Sequence, residues 1–303
     1  MTVSNLQQGN SMKNCQICGM NDWANHYVGP IRYGKFESKQ FRNGVIKRCG
    51  TCSAARLENE SVDYESSHYR DLVDGTSQVS DYRKLHDASQ LEHLRLLGTE
   101  GLYGSKVVDI GCGAGRFLDL IKGFTSAPTL GIEPAMQYRE HLQTNGHEVF
   151  GSTAEASSWH GMANIATCFS TIEHVEDPLI LMKNAWDILQ PGGKMVVTTP
   201  NRNDILLDLI PEDYGSFFYR YVHQWYFDLN SLEELCQRAG FLVSKVSTFH
   251  RFDISNLLVW LRDRRPGGMN RINISPILDA AYRAALVQNG QADYLVAYIT
   301  KPG

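Results

Sequence analysis

The segment Val107-Val108-Asp109-Ile110-Gly111-Cys112-Gly113-Ala114-Gly115-Arg116-Phe117 limits the fold more than any other part of the chain. An apolar strand runs straight into glycines at alternate positions, and a helical pattern opens at Arg116. Glycines let a backbone approach a ligand closely at a helix N-terminus. The alternation then continues. VVDI, TLGIE, IATCFS and KMVVTTP read as strands, and RFLDLIKGF, MQYREHLQTNG, LILMKNAWDIL and SLEELCQRAGF as helices. Short apolar runs alternating with helical periods predict an α/β fold with a parallel, doubly wound sheet. FLVSKVSTF and ADYLVAYITKP read as the last two strands. Between them, 254–290 reads as a helical insertion that covers a pocket or meets a partner subunit.

The glycine spacing is discriminating. It is G-x-G-x-G, and the dinucleotide fingerprint would need Gly where this chain has Arg116. A phosphate loop would need Gly-Lys-Ser/Thr, which is missing. Asp109 ahead of the loop suits a cationic ligand part better than a pyrophosphate. The next strand ends in Gly131-Ile132-Glu133-Pro134, with Glu133 18 residues past Gly115, where an acid can accept hydrogen bonds from both hydroxyls of a ribose.

A second signal lies at the N-terminus. Cys15-Gln-Ile-Cys18 and Cys49-Gly-Thr-Cys52 are two CxxC pairs with 30 residues between them. Such turns aim four thiolates at one point, the tetrahedral set that suits a structural Zn²⁺ with no position left open for water. Gly19 and Gly50 are expected to supply positive φ at the two knuckles. The intervening residues alternate like short strands, so 13–58 reads as a zinc ribbon. Cys112, Cys168 and Cys236, the rest of the seven cysteines, fall in segments that read as core.

Hydrophobic residues make up 43% and charged residues 20% of the 303, ordinary values for a globular protein. No apolar run approaches the roughly 20 residues that span a bilayer, and the first residues lack a secretory pattern. A cytoplasmic protein with no membrane contact is expected, 1–12 being a disordered tail. Residues 1–57 carry eight Lys and Arg against two Asp and Glu, although the whole chain has a net charge of −4. The ribbon is thus basic and the remainder acidic. An anionic partner or a solvated module would each explain that split.

In order, DIGCGAGRF, GIEP, FSTIEHVEDP and LQPGGKMVVTTPN resemble the motifs of class I S-adenosylmethionine-dependent methyltransferases, in particular the ubiquinone-biosynthesis type. HQWYFDLNSLEELCQRAGF is similar to that group's stretch after the fifth strand. The resemblance covers roughly residues 80–250. It implies a Rossmann-like sheet of seven strands with the last one antiparallel. A four-cysteine ribbon ahead of this domain, followed by DYESSHYR, resembles C-methyltransferases of nucleotide-linked deoxysugars and related natural-product enzymes. Those enzymes place a Glu-His pair where this chain has Val222-His223.

The resemblance implies S-adenosylmethionine as cofactor. Asp109, Gly111 and Gly113 would lie against its methionine and ribose parts, with Gly115 completing the loop. Glu133 would take the ribose hydroxyls, Thr153 and Ala154 the adenine, and Ser170 and Thr171 would leave the fourth strand beneath the cofactor. Methyl transfer is an in-line displacement, so positioning dominates, and a hydroxyl or carbon acceptor also needs a proton removed. His223 and His174 are the candidate bases. Tyr69 and Arg70 are candidates to close over the cofactor carboxylate.

These readings divide the chain into tail, ribbon, a helical linker over 59–100 and a methyltransferase domain over 101–303. The leading function is methylation of an oxygen or carbon on a small molecule, a sugar or natural-product intermediate. An RNA or protein methyltransferase gripping its substrate with the basic ribbon stays open, as does a non-catalytic cofactor-binding protein. A nucleic-acid partner is not expected, and a homodimer is compatible with the insertion.

Overall fold

A computed structural model describes residues 14–34, 39–58, 62–64 and 78–303. The expected tail over 1–12, most of 59–77, and the candidates Tyr69 and Arg70 lie outside the described residues. Among those described, no helix is long and apolar enough to cross a membrane.

The central sheet holds β4 (Val107–Ile110), β5 (Thr129–Ile132), β6 (Glu148–Phe150), β7 (Ala163–Phe169), β8 (Leu189–Pro200), β10 (Leu242–Phe249) and β11 (Tyr294–Thr300). Their order is β10-β11-β8-β7-β4-β5-β6. β11 runs antiparallel to both β8 and β10, and the remaining pairs are parallel. β4 and β5 are buried at every position, as the strands of a doubly covered parallel sheet must be. After β6 the chain crosses to β7 on the far side of β4. The crevice at the C-terminal ends of these two strands is the topological switch point, where open α/β sheets bind ligands.

Helix Val79–Leu97 precedes the sheet, and helices Ile254–Asp263 and Pro276–Gln288 occupy the expected insertion. In the first of these, Leu94 and Leu97 pack on the cluster around Leu102, Val107 and Phe117. Leu85 and Leu91 face solvent. The helix turns a different stripe to the crevice: Tyr82, His86, Ser89 and His93, four and three residues apart. His93 stacks on Phe169 at 4.2 Å, and Tyr82 meets Tyr138 with tilted rings at 4.9 Å.

β1 (Trp23–Arg32), β2 (Phe41–Cys49) and β3 (Ala55–Leu57) form an antiparallel sheet. Its fourth strand is β9 (Trp225–Tyr226), which follows β8 in the chain and pairs Ala55 with Tyr226 and Arg56 with Trp225. At the other edge, the Arg32 N–H donates to the Tyr219 carbonyl and the Tyr221 N–H to the Arg32 carbonyl, each at 2.9 Å. The N-terminal sheet is therefore continuous with the part of the chain that carries the central sheet. Ser53 makes a further tie, its hydroxyl donating to Asp228, which also pairs with Arg202. Two short helices, Ile205–Leu209 and Pro211–Phe218, fill the start of this excursion and pack against Ile31, Ile46 and Leu57.

The knuckles differ from expectation at one position. Gly19 has φ +77°, but at the second knuckle the left-handed residue is Ser53, at φ +62°. Each directly follows the second cysteine of its pair. Gly50 serves close approach instead, since a Cβ there would sit 2.2 Å from Asp22 Oδ2.

Candidate active site

At the end of β4, Asp109 is buried and accepts a hydrogen bond from the Thr167 hydroxyl at 2.7 Å. Desolvation pushes its carboxyl up to about 7 against the help of Thr167, and neighbouring Glu133 pushes the same way. Gly111 follows at φ +76°, and a Cβ there would come within 2.1 Å of Thr171 Oγ1. Only glycine lets this loop close on the exit of β7. Glu133 is fully buried, and its two oxygens accept the Gly113 and Ala135 N–H groups at 3.0 Å. It thus shapes the glycine loop from the next strand.

Asp109, Gly111, Glu133, Thr153, Ala154, Ser170 and Thr171 all line one cavity of about 1290 Å³. Gly113 and Gly115 stand behind its wall. Gly113 backs on Tyr82, and Gly115 backs on Leu142 as the left-handed cap of helix Arg116–Ile121. Thr153 holds Asn184 through its hydroxyl at 3.1 Å. Ser170 adopts φ +50°, unusual for a residue with a side chain, and its hydroxyl donates to Tyr294 Oη at 3.1 Å.

The cavity continues past Thr171 to Glu173, His174, Arg220 and His223. Glu173 is buried, accepts from the Thr199 hydroxyl at 3.0 Å, and is pushed up to about 7, mainly by burial. Its carbonyl accepts the Gln224 and Trp225 N–H groups, at 2.7 and 3.0 Å, so the excursion is fastened here. The Val222 carbonyl accepts from His174 Nδ1 and from the Tyr64 hydroxyl, each at 2.8 Å. His174 Nδ1 therefore carries a proton, and Nε2 lies 4.0 Å from Glu173 Oε1.

His223 is buried, 4.8 Å from the His174 ring centroid and edge-on to it. Arg220 Nη1 approaches His223 Nε2 at 3.4 Å, and His223 Nδ1 is a buried atom with no partner. Burial holds this imidazole well below its ordinary range, and Arg220 adds to the effect. Glu173, His174 and His223 bring donor atoms within 4.8 Å of one another, as a metal site would. The Arg220 guanidinium already beside His223 disfavours a further cation there.

Comparison with known proteins places this site in context. A methyltransferase domain family matches residues 82–246, more than half of the chain. The chain belongs to this methyltransferase family. Its sheet order and the one reversed strand are those of the Rossmann-like methyltransferase fold. It is similar to a ubiquinone biosynthesis O-methyltransferase of Cupriavidus pinatubonensis, 32% identical over 132 residues, which are 41% of this chain and 53% of that one. An O-methyltransferase of the same name from Vibrio parahaemolyticus is 30% identical over 151 residues, 44% of this chain and 64% of that one. The chain thus spans about half to two thirds of these relatives' length. A solved S-adenosylmethionine-dependent methyltransferase from Archaeoglobus fulgidus shares the fold, with TM-score 0.51 at 15% identity over 77% of this chain and 98% of that one.

The chain therefore carries a methyltransferase domain, and the cavity wall fits S-adenosylmethionine as a cofactor. Asp109 and Glu173 are acids raised by burial, which a cationic ligand would relieve. Sequence reasoning missed several residues of this methyltransferase's cavity. Tyr82, His86 and His93 were legible as a helical stripe, but it is polar and aromatic and reads as solvent-facing. Arg220 and Arg251 carry no motif. Cys112, expected in the core, is half-buried on the cavity wall. The four N-terminal cysteines are all buried, with Cys15 Sγ 3.7 Å from Cys52 Sγ and Cys18 Sγ 3.5 Å from Cys49 Sγ.

Proposed function

We propose that this methyltransferase transfers a methyl group to an oxygen of a small molecule, with His174 as the base. The observation that carries this reading is the single cavity in which the cofactor-side residues Asp109, Gly111 and Glu133 face His174, Arg220 and Arg251. A cavity lined from the glycine loop to the excursion and the insertion suits a small molecule better than RNA or a protein surface. The names of the ubiquinone biosynthesis relatives support an oxygen acceptor, as in a phenol or sugar hydroxyl.

S-adenosylmethionine supplies the methyl group as a sulfonium with a neutral leaving group. Asp109 and Glu133 would hold its polar ends, and Thr153 and Ala154 the adenine side. His174 is favoured over His223 as base. Its ring is oriented through Nδ1 by the Val222 carbonyl, and it lines the cavity with Nε2 4.0 Å from Glu173 Oε1, a carboxylate that would stabilise the proton His174 takes from the acceptor. His223 has its Nε2 lone pair directed at Arg220 and its Nδ1 buried, so it serves better as a neutral wall that keeps His174 in place.

The cysteine cluster fits Zn²⁺ as a structural ion. Zn–S bonds of about 2.3 Å space tetrahedral sulfurs about 3.8 Å apart, close to the separations observed. In this reading 13–58 is a zinc ribbon and 101–303 the methyltransferase unit.

The test uses methyl-labelled S-adenosylmethionine and a cell extract fractionated by mass. Label should enter a low-mass product, with His174→Ala lowering the rate by about 10²–10⁴-fold, the scale of general-base catalysis. Label confined to RNA or protein would overturn the small-molecule reading. A near-normal rate in His174→Ala would remove the base.

A further inference from the structure

Six arginines line the cavity. Five have a carboxylate at 2.7–3.3 Å. Arg220 has none among the described residues, and its one side-chain contact is the neutral His223, at 3.4 Å. Its position is not that of a loose surface arginine. Its N–H donates to the Tyr226 hydroxyl at 2.9 Å, and its carbonyl accepts from that hydroxyl at 3.0 Å. Tyr219 and Tyr221 on either side are bonded to Arg32 of β1. The main chain at Arg220 is thus fixed, and a half-buried guanidinium on it with no carboxylate partner among the described residues attracts an anion.

Arg251 faces the same space from the end of β10. Its Nε is bound to Asp293 at 2.7 Å, and its guanidinium carbon lies 3.6 Å over the Tyr294 ring. The Nη groups make no hydrogen bond among the described residues and stay available in a fixed plane. Arg220 and Arg251 both act electrostatically on the buried Glu173, which forms no ion pair with either among the described residues. Arg251 follows β10, at the opposite side of the sheet from Glu133 at the end of β5.

We propose that Arg220 and Arg251 form an anion subsite at the acceptor end of the cavity, and that the methyl acceptor carries a carboxylate or phosphate group bound there. This rests on the acceptor occupying that end, as in the function proposed above. The subsite sets which hydroxyl meets the methyl group, because an anchored anion fixes the acceptor's orientation.

Calorimetry on the full chain saturated with S-adenosylhomocysteine tests it, with inorganic phosphate and benzoate as probes for the two anion types. At least one probe should bind saturably. Arg220→Gln and Arg251→Gln should each weaken it by about tenfold or more, the loss of one charged hydrogen-bonding partner. Arg220→Lys, which keeps the charge, should lose less than Arg220→Gln and serves in its place should the Gln variant not fold. Affinity for S-adenosylhomocysteine should be unchanged in each folded variant. Absence of binding for both probes, equal binding in the variants, or lost S-adenosylhomocysteine affinity in a folded Arg220 variant would each overturn the subsite. The last result would give the arginine to the cofactor's carboxylate. No methyl transfer is measured, so failure here is separable from failure of the proposed reaction.

Discussion

Asp109 shows what burial does to a single carboxyl on the cavity wall. Its folded carboxyl is raised to about 7 from an ordinary value near 4, chiefly by burial. Stability from the protonated form is full below about 4 and is lost as pH rises to about 7, because the charged form is disfavoured in the fold. Above that range the ligand-free protein carries an uncompensated buried charge. Asp109→Asn removes this cost and keeps an oxygen for the Thr167 hydroxyl. Melting curves should show the variant more stable than the parent at pH 8, the gap narrowing as pH falls toward 4. Calorimetry should show S-adenosylmethionine bound more weakly, by about 1–3 kcal/mol. A melting gap independent of pH would contradict the assignment.

Among the elements, the stretch from Tyr219 to Tyr226 is the one on which the site depends most. It carries Arg220 and His223, yet its hydrogen bonds go to β1 and β3 of the N-terminal sheet and to the Glu173 carbonyl. A disturbance of that sheet should therefore reach the acceptor end before the glycine loop. Cys49→Ser, at the end of β2, is expected to lower turnover by about 10²-fold through misplacement of these groups. Its affinity for S-adenosylmethionine should stay close to that of the parent. Steady-state rates and calorimetry on the same preparation check this, and normal turnover would show the two parts to be uncoupled.

For the whole molecule, the buried cysteines share one core with Val108, Ile110, Trp225, Phe227 and Cys236. That continuity argues for one cooperative unit, even though metal binding commonly drives the folding of small cysteine modules alone. Scanning calorimetry should give a single unfolding transition. A chelator strong enough to strip zinc should move that transition down as a whole, with metal analysis of the untreated protein giving one zinc per chain. Two separate transitions, only one of them sensitive to chelator, would mean that the ribbon melts by itself.

What the sequence determined is local. The run from Val107 to Phe117 specifies strand, turn and helix, because burial, positive φ and helix capping act within a few residues. The paired CxxC turns and the acid after β5 are legible for the same reason, as is the alternation that dictates the sheet. Tertiary structure alone decided the rest. That Gly50 packs against Asp22, and that the Ser53 hydroxyl reaches Asp228, 175 residues away, are contacts only the closed fold supplies. That β9 joins the N-terminal sheet, that a polar stripe and not the leucines of helix Val79–Leu97 faces the cavity, and that Arg220 has no carboxylate partner among the described residues are all outcomes of pairing between distant segments. Periodicity and turn chemistry carry no information on such pairings, because the energy that selects them comes from surfaces buried only once the fold has closed.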